Sequence, residues 1–211
     1  MKTRSQGAPA PPLTGSLKLQ LTRADIVRAS IDVFERLGAD ATRVEDLLDA
    51  ADVARRTFYK HFHSKEEVLC AVYEMVSREL LAAIERGREA SHDPLAGVRA
   101  TMDVYLGFHV DNHRILRVLV EQALRAESPL APLRRRLRGE LVRVLDEACR
   151  ASKGRALDPY VFLALLSGLE GLSMELLSAA PQAADVARAR AVMHGLLDAV
   201  LRDAAALPAR P

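Results

Sequence analysis

The sequence contains no tryptophan, and only two of its 211 residues are cysteine. Cys70 and Cys149 stand far apart, with no CxxC pair and no cysteine–histidine cluster. This pattern argues against a disulfide scaffold or a zinc module, because both need several closely spaced ligands. We expect two reduced, partly buried thiols, and a redox-sensing pair is the alternative.

Long apolar runs are also missing, although 49% of the residues are hydrophobic. No stretch approaches the roughly 18 uninterrupted apolar residues that a membrane-spanning helix needs. Pro9, Pro11 and Pro12 occupy the N-terminal region, where a signal peptide would have an apolar core. We therefore expect no membrane contact and a cytoplasmic location.

Signatures of enzymes are absent as well. The sequence has no nucleophile elbow, P-loop, dinucleotide fingerprint or metal-ligand cluster, so we expect no catalytic residue, no cofactor and no metal. His109 and His113 have the i, i+4 spacing of a metal pair. However, Asp111-Asn112 is expected to break the helix between them, which would place them on different helices.

The patterns that are present indicate helices. Apolar residues do not alternate with period two, and Thr22, Thr42 and Ser64 each precede an acidic residue by three positions, as in a capping box. Gly38 is placed to end the first helix, since glycine adopts a left-handed backbone without a Cβ clash. We predict an all-α fold of about nine helices. Its predicted parts are a disordered basic and proline-rich arm (1–18), a helix-turn-helix DNA-binding domain (19–68) and a larger helical effector-binding and dimerisation domain (69–207).

Three short amphipathic helices are expected in the second of these parts. Their predicted ranges are about 22–37, 43–50 and 55–61, with only Ala51 to Ala54 between the last two. This is the helix-turn-helix arrangement, in which the third helix enters the major groove of DNA. The expected core residues are Ile26, Ala29, Val33, Leu37, Val44, Leu47, Leu48, Ala51, Phe58 and Phe62.

Positive charge is local in this region. Thr22 to Leu69 holds eight basic and ten acidic residues, a net charge of −2. The segment Val53 to Lys65, however, contains four of the bases and no acid. Such a local positive stripe is what contact with phosphates requires.

One segment carries a specific resemblance. Thr57-Phe58-Tyr59-Lys60-His61-Phe62-His63-Ser64-Lys65-Glu66-Glu67 follows the pattern Thr-Phe-Tyr-x-His-Phe-x-Ser-Lys-Glu-Glu, and Ile26 to Gly38 and Ala41 to Leu47 match the helices before it. The sequence thus resembles the TetR (tetracycline-repressor) family of bacterial transcriptional regulators over about Thr22 to Leu69. Where that family usually has Gly-Val-Ser, this chain has Asp52-Val53-Ala54. Asp tolerates a left-handed backbone at some cost, whereas Ala54 cannot cap the third helix.

Candidate DNA contacts lie in and beside this segment. Arg55 and Arg56 occupy the first turn of the predicted third helix, and a guanidinium fork matches O6 and N7 of guanine. The resemblance implies that Tyr59, Lys60 and Lys65 hold phosphates. Thr42 and Arg43 open the second helix, whose N–H groups can face a phosphate. Thr57 and His61 are candidates for base or backbone contact.

The resemblance also implies a homodimer with a small-molecule site. The last two helices are expected to form the seam, through Leu166, Leu169, Val192, Leu196 and Val200, with packing inside the monomer as the alternative. Aromatic residues are few in the central helices, which favours an aliphatic effector. The candidate effector contacts are Tyr105, Phe108, His109, His113, Glu121, Phe162 and Glu170. Glu170 has an interface hydrogen bond as its alternative role, and the basic run Arg134 to Arg138 is interpreted as a solvated face.

These observations favour a ligand-responsive regulator, most simply a repressor that binds a palindromic double-stranded operator as a dimer and is released by a small molecule. The alternative is a helical interaction or adaptor protein with weakened DNA binding, because the usual Gly and Ser before the third helix are missing.

Overall fold

The computed structural model describes residues 15–90, 94–153, 157–178 and 182–202. Within these ranges the chain forms nine helices, and this confirms the all-α prediction. The helices are α1 (Gly15–Ala41), α2 (Val44–Ala51), α3 (Arg55–Phe58), α4 (Lys65–Glu89), α5 (Pro94–Asp111), α6 (His113–Ala123), α7 (Ala131–Lys153), α8 (Pro159–Ser178) and α9 (Ala183–Arg202).

The first helix differs from its prediction at its start and on its buried face. It begins at Gly15, so the predicted start at Thr22 is wrong and the predicted arm overlaps the helix; residues 1–14 lie outside the described residues. Gly38 interrupts it where predicted, with φ 74° and ψ 167°. Leu37 is 38% exposed, and the fully buried Phe34 lies in the core that Leu37 was expected to join.

Of the predicted helix caps, the one of α2 falls on a different residue and the one of α4 is as predicted. Arg43, rather than Thr42, is the N-cap of α2, and its backbone N–H donates to Asp46 Oδ2 at 2.8 Å. Ser64 does cap α4, since its hydroxyl accepts from the Glu67 N–H at 3.2 Å. Glu67 Oε2 in turn accepts from the His63 N–H at 2.7 Å. An acid in the first turn also suits the positive end of each helix dipole.

Two hydrophobic clusters divide the described core. The first joins α1–α3 and the start of α4 to α6, and it includes Phe34, Leu47, Phe58, Ile115 and Leu119. The second joins the rest of α4 to α5, α7, α8 and α9. Helix α4 therefore belongs to both clusters, and α6 shares a core with the three N-terminal helices.

The predicted break between the fifth and sixth helices is confirmed. α5 ends at Asp111 and α6 begins at His113, so a single residue, Asn112, separates them. Asn112 Nδ2 donates to the Phe108 carbonyl oxygen at 2.9 Å. Among the described residues no helix combines the length and apolar character needed to cross a membrane.

Candidate nucleic-acid interface and inner cavity

The turn before α3 has the backbone that the sequence predicted. Asp52 adopts φ 50° and ψ 48°, the left-handed region. The Asp52 N–H donates to the Asp49 carbonyl at 3.3 Å, and the Val53 N–H donates to that of Leu48 at 3.2 Å. Ala54 is the N-cap of α3 and supplies no side-chain hydrogen bond. The turn is thus closed by backbone bonds, while α3 starts without a side-chain cap.

Two phenylalanines hold α3 in place. Phe58 and Phe62 are 0% and 1% exposed, and their ring centroids lie 5.9 Å apart. The Arg23 guanidinium lies 4.8 Å from the centroid of the Phe62 ring. The regular helix ends at Phe58, earlier than predicted, but a turn continues through His61, whose N–H donates to the Phe58 carbonyl at 2.8 Å.

The opposite side of this segment is solvent-facing. Arg55, Arg56, Tyr59 and Lys60 are all exposed, and we call these four residues the recognition face. Arg55 Nη2 donates to Glu45 Oε1 of α2, an ion pair that sequence reasoning missed. The Glu45 pKa is lowered, first by a bond from its own backbone N–H and then by Arg55. Among the described residues, Arg55 is the member of the recognition face that forms an ion pair with α2.

The other candidate DNA residues differ in accessibility. Arg43 is exposed beside the start of α2, whereas Thr57 and His61 are half-buried. The pKa of His61 is lowered, mainly by burial and then by the charges of Arg23 and Lys60. Both effects disfavour the charged form of His61.

Thr42 and Lys65, two of the predicted DNA-contacting residues, form hydrogen bonds within the protein. Thr42 is 1% exposed, and its hydroxyl donates to the Gly38 carbonyl at 2.6 Å. The Lys65 ammonium donates to the carbonyls of Ala39, Asp40 and Thr42 at 2.9, 2.9 and 2.8 Å. An ammonium has three N–H donors, so these contacts engage all of them. Lys65 fixes the end of α1 against α4.

A small cavity lies between α4, α5, α6, α7 and α8, with a volume of about 40 Å³; we call it the inner cavity. Of the predicted effector residues, it is lined by Tyr105, His109 and Glu170. The other predicted residues, Phe108, His113, Glu121 and Phe162, are not among its lining residues. The described lining consists of Tyr73, Val76, Ser77, Leu80, Tyr105, His109, Leu116, Leu119, Val120, Ala123, Arg134, Leu137, Arg138, Leu166 and Glu170.

Glu170 is the centre of an ion network on the wall of the inner cavity. Arg134 donates from Nε to Oε1 at 2.9 Å and from Nη2 to Oε2 at 2.6 Å. Arg138 donates from Nη1 to Oε2 at 2.9 Å and from Nη2 to the Ser167 hydroxyl at 2.8 Å. The interpretation of the whole basic run as a solvated face is therefore wrong for Arg134 and Arg138, because α8 presents them with a carboxylate.

The neighbouring ring side chains are neutral. His109 is 5% exposed, and its Nδ1 lies 2.8 Å from the Tyr105 carbonyl oxygen, which can only accept. Nδ1 therefore carries the proton, and Nε2 is an acceptor. Burial, the largest cause, lowers the His109 pKa to about 4. Burial likewise raises the Tyr73 pKa to about 12 and the Tyr105 pKa further.

The predicted metal pair is not brought together as a site. His109 belongs to α5 and His113 to α6, where His113 Nδ1 lies 3.1 Å from the Val110 carbonyl oxygen. Within the described part of the chain, no group of three or more His, Cys, Asp or Glu side chains is arranged to hold a metal. Cys70 is half-buried and Cys149 buried, both as free thiols.

A second, more open space adjoins the inner cavity between α4 and α7. Its volume is about 260 Å³, and we call it the outer groove. Tyr73, Ser77 and Leu137 line both spaces and thus separate them. The rest of the outer groove has both charged and apolar lining residues, namely Glu74, Arg78, Leu81, Leu133, Arg136 and Glu140.

The predicted dimer residues fall into two groups. Val192 and Leu196 of α9 are 49% and 50% exposed, and Val200 is half-buried. Leu166 and Leu169 of α8 are 6% and 2% exposed because they pack in the second cluster of the monomer. The burial of Leu166 and Leu169 fits the alternative of packing inside the monomer, and it leaves little of their surface for a second copy.

A polar contact that the sequence did not suggest joins α6 to the N-terminal helices. Arg125, just beyond the end of α6, donates from Nη1 to Asp40 Oδ1 at 2.9 Å and from Nη2 to Oδ2 at 2.7 Å. Gln122 Nε2 donates to the same Oδ1 at 3.2 Å. Arg125, the largest cause, lowers the Asp40 pKa. The contact spans 85 residues of sequence, which hides it from local pattern analysis.

Comparison with known proteins shows which family the N-terminal helices resemble. Residues 26–72 match the family of bacterial regulatory proteins described as the tetR family. The chain is 36% identical over 90 residues to the HTH-type transcriptional regulator TcmR of Streptomyces glaucescens, covering 43% of this chain and 39% of that protein. It spans about half the length, or less, of the first curated relatives that it matches.

Solved structures resemble the chain over more of its length. The TetR family transcriptional regulator PfmR from Thermus thermophilus has a TM-score of 0.62 at 25% identity, with 84% of this chain and 97% of that chain covered. The fatty acid degradation regulator FadR from Bacillus halodurans has a TM-score of 0.68 at 20% identity, with 83% and 94% covered, and this likeness shows the fold alone. Residues 26–72 thus match the tetR family of bacterial regulatory proteins and fold as a helix-turn-helix with buried phenylalanines, and the chain resembles the solved TetR family regulator in fold.

Proposed function

We propose that the protein is a transcriptional regulator, most simply a repressor, that binds a palindromic double-stranded DNA operator and is released by a small-molecule effector. The observation that carries the proposal is the recognition face: Arg55, Arg56, Tyr59 and Lys60 are exposed on a segment fixed by Phe58 and Phe62. Guanidinium groups suit guanine edges, and Lys60 suits phosphates. Arg43 adds a further exposed basic side chain at the start of α2.

Dimerisation is part of the proposal because one short helix reads only a few base pairs. Two copies related by a two-fold axis read half-sites about 34–36 Å apart, one turn of DNA. The exposed side of α9, with Val192 and Leu196, is the surface that we assign to the second copy. Gly168 and Gly171 on the exposed side of α8 allow close approach of its backbone.

The inner cavity is the proposed effector site, and α6 is the proposed link to DNA binding. Leu116, Leu119 and Val120 of α6 line the cavity, and Gln122 and Arg125 at its far end bind Asp40. An effector shifts the equilibrium only if it binds the two arrangements with different affinity. With a volume of about 40 Å³, the cavity holds little more than water, so a larger ligand separates the helices around it.

The test is selection of bound DNA from a random pool, followed by band-shift titration of the recovered sequence at several salt concentrations. We expect a two-fold symmetric site and an affinity that falls steeply with salt, since each neutralised phosphate releases counterions. Recovery of no enriched sequence, with binding that is independent of salt, contradicts the proposal. A stable protein partner isolated in that case would instead support the adaptor function, which the uncapped start of α3 favours.

A further inference from the structure

The ion network of the inner cavity is unbalanced in charge. Arg134 and Arg138 share a single carboxylate, that of Glu170, and their side chains are 23%, 22% and 18% exposed. The two guanidinium groups stay charged at every physiological pH. Among the described lining residues there is no second carboxylate, and Tyr73, Tyr105 and His109 are neutral. The wall therefore carries one uncompensated positive charge.

Arg134 and Arg138 also keep N–H donors that the ion network does not use. A guanidinium offers five N–H donors, and Arg134 and Arg138 each use two nitrogen atoms for Glu170 and Ser167. A carboxylate can thus approach both arginines without displacing Glu170. Bidentate arginine–carboxylate pairs are among the strongest hydrogen-bonded contacts in proteins.

The rest of the lining is aliphatic. Val76, Leu80, Leu116, Leu119, Val120 and Leu166 line the inner cavity. These side chains attract a flexible apolar body and offer no hydrogen-bond partner to a polar one. A ligand that satisfies both parts has an anionic head and an aliphatic body.

We propose that the inner cavity takes an aliphatic monocarboxylate, with its carboxylate bound by Arg134 and Arg138 and its chain against the α4, α6 and α8 side chains. The inference rests on the proposed function only in taking the inner cavity as the effector site. Entry runs through the outer groove, past the shared Tyr73, Ser77 and Leu137. A cationic ligand is disfavoured because it adds a second unbalanced positive charge.

The test compares three head groups on one chain length, by isothermal titration calorimetry with the full-length protein. The probes are decanoate, decanol and decylammonium, so that the apolar contribution is constant. We expect decanoate to bind at least about tenfold more tightly than the other two, the scale of hydrogen bonds to a charged group. Equal binding of decanol or decylammonium overturns the inference, and this comparison needs no variant.

A matched pair of variants locates the head group. R138Q removes a guanidinium of the network, whereas R135Q removes an exposed one from the same helix. We expect R138Q to weaken decanoate binding about tenfold or more while R135Q binds like the natural chain. Operator binding and thermal unfolding check that R138Q is folded. If R138Q unfolds, R134K replaces it in the test, because this variant keeps the positive charge but loses the planar guanidinium group. Unchanged decanoate affinity in the folded variant overturns the inference.

Failure of this inference is distinguishable from failure of the proposed function. If decanoate binds with the expected selectivity but leaves operator affinity unchanged, the ligand class stands and the effector role fails. If decanoate does not bind while a different small molecule releases the operator, the regulator stands and the ligand class is overturned.

Discussion

The Arg125 guanidinium and the Asp40 carboxylate face each other in a two-bond pair that joins the end of α6 to the last turn of α1. The bonds are 2.9 and 2.7 Å long, and Gln122 adds a third to the same carboxylate. Leu116 and Leu119 of the same helix line the inner cavity. Helix α6 thus contacts both the inner cavity and α1, and in the proposed function it carries a ligand-induced movement to the N-terminal helices.

Replacing Asp40 by Asn tests this link. The variant keeps the shape of the side chain but loses its charge, so α6 and α1 are joined less firmly. We expect operator affinity of the ligand-free protein to change little, and the ligand-induced loss of affinity to shrink by about two- to thirty-fold. Band-shift titrations with and without ligand measure both. Asp111→Asn, an exposed change of the same kind at the end of α5, is the control; equal responses of D40N and the natural chain contradict the link.

Arg55 is expected to read a base, with Glu45 orienting it. Arg55→Ala should cost about 1–3 kcal/mol of binding and relax preference at one position of each half-site. Glu45→Gln should also weaken that preference while raising non-specific binding, because an acid is lost near the phosphates. Selection from a random pool measures both effects. Asp49→Asn, an exposed acid on the same helix, should raise non-specific binding alone; an unchanged site in E45Q refutes the orienting role.

Lys60 and Lys65 separate a phosphate contact from a structural one. Lys60→Ala should reduce the slope of log affinity against log salt by about 0.9, the value of one phosphate contact. Lys65→Met should leave that slope unchanged but lower the free energy of unfolding by roughly 2 kcal/mol, because three carbonyls lose a charged donor. Salt-dependent band shifts and urea denaturation distinguish the two. A reduced slope in K65M would restore its predicted phosphate role.

Ala54→Ser should restore the missing cap of α3. Ala54 has φ −65° and ψ 146°, the extended backbone of an N-cap residue, and its side chain is exposed. A serine hydroxyl there can accept from a free N–H of the first turn and should stabilise the fold by about 1 kcal/mol. Urea denaturation gives the change. Ala50→Ser, exposed within α2, is the matched control and should be neutral or slightly destabilising; equal effects of the two would count against capping.

His109 should make stability depend on pH in acid. Its folded pKa is about 4, below the unfolded value of 6.5, so the unfolded chain binds more protons between these values. The contribution of His109 to the free energy of unfolding is fully present above about pH 6.5. It falls by roughly 3 kcal/mol as the pH drops to 4. Urea denaturation across this range measures the slope. His109→Gln should flatten this pH dependence; a slope that survives in H109Q argues against His109 as its origin.

Local signals allowed most of the architecture to be predicted. The left-handed backbones of Gly38 and Asp52 and the burial of Phe58 and Phe62 depend on neighbours in sequence, and they were expected correctly. The roles of Lys65 and Glu170 were not, because their partners lie 23–26 and 32–36 residues away. Leu166 shows a further limit: an apolar stripe has the same pattern whether the monomer or a second copy covers it.

The positions of the four tyrosines determine which parts of the protein its intrinsic fluorescence reports on. With no tryptophan in the chain, its intrinsic fluorescence comes from Tyr59, Tyr73, Tyr105 and Tyr160. Tyr73 and Tyr105 line the inner cavity, Tyr59 belongs to the recognition face, and Tyr160 is 79% exposed on α8. Replacing Tyr59 and Tyr160 by Phe leaves emission from the cavity wall alone, so occupancy of the cavity becomes visible without any attached dye.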